Sequence, residues 1–115
     1  MTTAAEVREI ALSLPEAVER PFRTQPTFRI RNKIFAALSE DETAMGFKVS
    51  KQERAELIAA EPEKFFYIDG HDNNYDWARV RLASVEADEV AELVIDAWRR
   101  TAPKKLVADY QPETR

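Results

Sequence analysis

Thr27-Phe28-Arg29-Ile30-Arg31-Asn32-Lys33-Ile34-Phe35-Ala36-Ala37-Leu38 is the stretch on which the fold turns. Its first five residues alternate polar and apolar side chains, the period of a strand with one buried face. Arg31-Asn32-Lys33 follows as a tight turn, because asparagine tolerates left-handed backbone. Ile34 to Leu38 is apolar throughout and reads as a buried-type strand that completes a hairpin. Ser39-Glu40-Asp41-Glu42 is a solvated turn. Thr43 to Val49 is the next strand, with Met45, Phe47 and Val49 on one face and Gly46 and Lys48 on the other.

Toward the N-terminus, Thr3-Ala4-Ala5-Glu6 has the form of a capping box. Val7, Ile10, Ala11 and Leu14 recur at helical spacing, so a first helix runs to about Ser13. Pro15 stops it, since the residue before a proline resists helical geometry. Ala17 to Phe22 reads as a short strand that Pro21 keeps at an edge. Toward the C-terminus, Ser50-Lys51-Gln52-Glu53 is a second capping box, opening a helix to about Ala60 with Leu57 and Ile58 inward. Phe65 to Ile68 is a short apolar strand. Asp69-Gly70-His71-Asp72-Asn73-Asn74 is a polar loop dense in turn formers. Asp76 to Leu82 alternates again, with Val80 and Leu82 inward and Trp77, Arg79 and Arg81 outward. The final long helix runs from near Glu86 to about Arg100, with Val90, Leu93, Val94, Ala97 and Trp98 as its apolar stripe. Acids in its first turns and Arg99-Arg100 in its last suit the helix dipole. Pro103 interrupts, Lys104 to Tyr110 forms a short helical turn, and residues 111–115 are a frayed tail.

Runs of strands with helices set apart indicate an α+β fold: a two-layer arrangement in which helices cover one face of an antiparallel sheet. The order is one helix, three to four strands, a helix, two strands and a helix. No repeat, low-complexity stretch or linker divides residues 1–110, which are expected to be a single domain. The length of 115 residues suits that size.

The absence of cysteine excludes disulfides, thiolate chemistry and Cys-based zinc sites. The first residues have no apolar signal core, and no apolar run approaches the roughly 20 residues of a membrane helix. A cytoplasmic protein without a membrane partner is the expectation. The two glycines, Gly46 and Gly70, leave no room for a phosphate-binding loop or a dinucleotide fingerprint, so no cofactor is called for. His71, the one histidine, lies between Asp69 and Asp72. That spacing fits neither a calcium loop nor a zinc site, and a solvated turn is the better reading. No Gly-x-Ser-x-Gly elbow is present. The chain shows no recognisable catalytic residue and no metal ligand set.

The formal net charge of −4 argues against nucleic acid when taken alone. The charges are segregated, however. Residues 20–39 hold five basic side chains and no acidic one, whereas residues 53–96 hold twelve acidic and four basic ones. Local potential steers partners more than net charge does. If helices cover one face, alternation places Arg29, Arg31, Lys48, Trp77, Arg79 and Arg81 together on the other. Arginine forks suit phosphate, and an exposed tryptophan among them can stack on a base. A plainer reading stands beside this one. Outward strand positions need some polar residue, charges guard sheet edges, and arginines pair with neighbouring acids.

Taken in order, several stretches resemble the MmcQ/YjbR family. They are Ala11-Leu12-Ser13-Leu14-Pro15, Pro26-Thr27-Phe28-Arg29 with Lys33-Ile34-Phe35-Ala36, Trp77-Ala78-Arg79-Val80-Arg81-Leu82, and Ala91-Glu92-Leu93 leading through Ala97-Trp98-Arg99 to Ala102-Pro103-Lys104-Lys105-Leu106. The resemblance covers nearly the whole chain. It implies a fold like that of bacterial frataxin (CyaY), and DNA binding through a proposed double wing of hairpins. Carried onto this sequence, the binding positions are Arg29, Arg31, Lys33, Trp77, Arg79 and Arg81, and Lys48 joins them from the strand pattern. The acidic loop Asp69 to Asp76 departs from the pattern, and its charges work against phosphate. Two other functions remain open. One is a protein-interaction or homodimerisation module using the same face or the Phe65 to Tyr67 edge. The other is a site for a small anionic ligand.

Overall fold

The computed structural model describes residues 1–110; the expected tail at 111–115 lies outside them. Helix α1 spans Ala4–Leu12, and its Thr3 cap forms both halves of the expected box with Glu6. Strands β1 (Val18–Phe22), β2 (Gln25–Ile30), β3 (Lys33–Leu38) and β4 (Ala44–Lys48) follow in succession. Helix α2 is Lys51–Ala60, β5 is Phe65–Phe66 and β6 is Trp77–Arg81. A 3-10 turn at Leu82–Ser84 leads into α3 (Ala87–Thr101) and then α4 (Lys104–Asp109). The result is an α+β fold built on one six-stranded sheet in the order β1-β2-β3-β4-β6-β5, antiparallel throughout.

Helix α3 packs across β3 and β4, and α1 packs against α3. The core between the layers is built from Phe28, Ile30, Phe35, Leu38, Met45, Phe47 and Val80 of the sheet with Val90, Val94 and Trp98 of α3. Trp98 is fully buried, its indole N–H donates to the Pro15 carbonyl, and the Tyr110 ring stands edge-on to it at 5.1 Å. The helix that follows Pro103 therefore covers the end of the core.

Three details differ from the strand and helix patterns read above. The alternation of β2 ends at Ile30, because Arg31 and Asn32 both take left-handed backbone, with φ of 51° and 69°. This is the two-residue turn that matches strand twist. Opposite Phe28 and Arg29 the register slips, and Phe35 and Ala36 are both fully buried. The bulge explains why β3 reads as a continuous apolar run. In α2, Leu57 and Ile58 are only half-buried, and the buried residue is Arg54. Ser50 caps that helix through the Glu53 N–H, while the Glu53 carboxylate turns to Arg100 of α3.

A candidate anion-binding face of the sheet

The face away from α1 and α3 is organised by register. Arg20, Thr27, Ala37, Gly46, Arg79 and Phe66 pair in sequence and form one row across all six strands. The middle of that row is occupied by the two smallest side chains, Ala37 and Gly46, so the sheet surface dips at its centre. Lys48 and Trp77 are paired in the neighbouring row. The Trp77 indole leans across Gly46: a Cβ built there would lie 2.5 Å from the Trp77 Cζ2. Glycine in mid-strand is thus required by a close approach. The ring is half-buried instead of projecting into solvent.

A concavity of about 660 Å³ opens over this dip. Arg29, Lys33, Lys48, Trp77 and Arg79 all line it, with Tyr75 from the loop before β6. Arg29 is oriented by neutral partners only, donating through Nε to the Thr27 hydroxyl at 3.1 Å and through a terminal nitrogen to Asn32 Oδ1. Among the described residues, Arg29, Lys33 and Lys48 have no carboxylate within ion-pairing distance. These three cations carry the uncompensated positive charge of the concavity.

The other sequence-predicted cations are already engaged. Arg79 donates from Nε and a terminal nitrogen to both oxygens of Asp72, at 2.8 and 3.0 Å. Asp72 is only 1% exposed, so the expected solvated turn is corrected here: one of its acids is buried beneath the sheet's own arginine. The Ile68 N–H and His71 Nδ1 also bond to that carboxylate. Burial alone would push the Asp72 carboxyl up, but the Arg79 fork, the Ile68 N–H and His71 together hold it well below the usual carboxylate range. Arg31 sits at the hairpin turn, outside the concavity, and grips both oxygens of Glu16. Arg81 lies over the Phe66 ring at 4.3 Å and donates to the Glu63 carbonyl. The structure therefore gathers five of the seven proposed residues and leaves Arg31 and Arg81 outside.

The loop between β5 and β6 is positioned by a residue that the sequence pattern did not single out. Arg54 donates through one nitrogen toward the carbonyls of Asp72, Tyr75 and Trp77, at 3.1, 3.2 and 3.0 Å. Its guanidinium also lies 4.4 Å from the centre of the Tyr67 ring. A signal was present: Arg54, Leu57 and Ile58 share one helical face, an unusual place for an arginine unless it is satisfied. Arg20 was likewise not among the positions read from alternation, although its place opposite Thr27 puts it at the end of the open row. Phe65 belongs to the core, and the next two rings are covered by Arg81 and Arg54. Tyr67 and the neighbouring Ile68 nevertheless remain 38% and 44% exposed there.

An antiparallel sheet covered by helices on one side, with a shallow basic basin on the other, is the class of protein that these observations define. The chain belongs to the YjbR family, whose sequence model matches residues 12–100. It is 36% identical over 97 residues to the uncharacterized proteins Rv2570 of Mycobacterium tuberculosis and Mb2600 of Mycobacterium bovis, covering 82% of this chain and 71% of each relative. Its fold is similar to the crystal structure of Deinococcus radiodurans protein DR2400, a DUF419 domain. The TM-score is 0.71 at 25% identity, over 85% of this chain and 77% of that one. No helix among the described residues is long and apolar enough to cross a membrane.

Proposed function

We propose that this YjbR-family protein is a nucleic-acid-binding module, without catalysis of its own, that holds phosphates on the open face of its sheet. The observation that carries this reading is the set of Arg29, Lys33 and Lys48 around one concavity beside Trp77, with no carboxylate partner among the described residues. Phosphate is the natural counterpart of such a cluster, since cations that neutralise it release condensed counterions. The buried Asp72 also removes part of the objection raised by the acidic loop, because its charge is absorbed by Arg79.

With about three phosphates neutralised, the logarithm of affinity should fall with the logarithm of salt at a slope of roughly −2 to −3. Affinity near the micromolar range at low salt is the scale expected of such a footprint. Fluorescence anisotropy of labelled DNA at several salt concentrations tests this directly. Arg29→Ala and Lys48→Ala should each reduce the slope by about one. Unchanged affinity in both variants, or no binding at low salt, would remove the proposed face.

A further inference from the structure

We infer that the concavity takes one unpaired nucleobase together with its phosphate, so that the preferred form of nucleic acid is a single strand. The inference rests on the nucleic-acid reading above and adds a choice of strand form that the reading itself leaves open. Its first support is shape. The floor is set by Ala37 and by the Trp77 ring that lies across Gly46, below the level of the longer side chains around it, and the space of about 660 Å³ is that of a small-molecule site. Stacked bases inside a duplex cannot descend to such a floor, whereas a splayed base can.

The second support is chemistry. Trp77 lines the concavity and offers a flat aromatic surface, on which any base can stack. The side-chain amide of Gln25, also in the lining, makes no hydrogen bond among the described residues, so one donor group and one acceptor remain for the edge of a base stacked on that ring. Arg29 and Lys48 stand on different strands of the same face, where they can meet the phosphates flanking that base. The third support is number. Three uncompensated cations match about three phosphates, a short stretch of single strand around the seated base, and a duplex contact of the usual kind neutralises more phosphates than that, roughly 6–10. Single-stranded nucleic acid and a free mononucleotide share this chemistry, and the test must separate them.

Tryptophan emission provides the readout. The chain holds two tryptophans, and Trp98 is fully buried, so ligand-dependent quenching reports on Trp77. Oligothymidine, a duplex of the same length and thymidine monophosphate would each be titrated at low salt, with anisotropy followed in parallel for the two DNAs. Saturable quenching by the single strand, with at least about tenfold weaker binding of the duplex, is the expected result. Trp77→Phe should lose the quench while still binding, and Trp77→Ala should weaken single-strand affinity by about tenfold, the scale of one stacked base. Quenching by the monophosphate at an affinity equal to the strand's would assign the site to a free nucleotide and overturn the strand preference. Equal anisotropy with strand and duplex and no change in emission would overturn the inference and leave the nucleic-acid reading standing. No binding of any of the three would end both.

Discussion

Replacing Asp72 by asparagine should lower stability and strengthen anion binding at the same time. Asp72 receives two bonds from Arg79, one from the Ile68 N–H and one from His71. Its side chain is 1% exposed and that of Arg79 is 13% exposed. Removing one partner of a buried pair costs about 3–5 kcal/mol. Asparagine keeps one oxygen acceptor and Arg79 retains some water, so the lower end, about 3 kcal/mol, is expected at neutral pH. For a chain of this size that is a fall in Tm of roughly 12 °C. The sign of the pH dependence follows from the depressed folded-state value of this carboxyl. Its contribution is fully present above the unfolded carboxyl value of about 4 and is lost as pH falls through the folded value. The gap between wild type and Asp72→Asn should therefore narrow as pH drops below about 4. Urea unfolding at a series of pH values measures the gap. A difference under about 1 kcal/mol at neutral pH, or one that stays constant in acid, would refute the assignment of Asp72 as the anchor of Arg79. The released Arg79 fork should tighten DNA binding at low salt, and the gain should vanish at high salt.

Other outcomes follow from single contacts. Arg54→Met removes the donor to three carbonyls and should cost roughly 2–4 kcal/mol, with faster amide exchange in residues 68–76 as the local signature. Gly46→Ala places a methyl 2.5 Å from the Trp77 ring. The ring must move, so a red-shifted emission and a loss of about 1–3 kcal/mol are expected on unfolding. Arg31→Ala breaks an exposed pair with Glu16 outside the concavity. Titration against DNA should show no loss of affinity, in contrast to Arg29→Ala.

Local patterns carried most of the fold. Alternation in Thr27–Ile30 and in β6, the caps at Thr3 and Ser50, and the prolines at 15 and 103 placed the strands and helices close to their observed limits. These are signals between residues near in sequence, where period and backbone chemistry decide. The candidate site was legible only in part. Alternation correctly put Arg29, Lys48, Trp77, Arg79 and Arg81 on one face, since strand period is independent of distant neighbours. It did not reveal which of these cations were already paired. Arg79 meets Asp72 through a loop whose path depends on Arg54, and Arg31 leaves the strand because a two-residue turn needs it at positive φ. The dip itself arises from Ala37 lying opposite Gly46, a matter of register that a bulge at Phe35 resets.

The strand order has a kinetic consequence. Strands β1 to β4 pair with their neighbours in sequence, but β6 reaches β4 only after the chain has passed through α2 and β5. That pairing closes the longest loop within the sheet, so it is expected late in folding. Arg29 and Lys48 come from the early meander, and Trp77 and Arg79 arrive with β6. The basin therefore comes into being at the last docking event. A ligand that bridges the two halves would hold contacts still absent at the barrier, and would slow unfolding while leaving the refolding rate almost untouched.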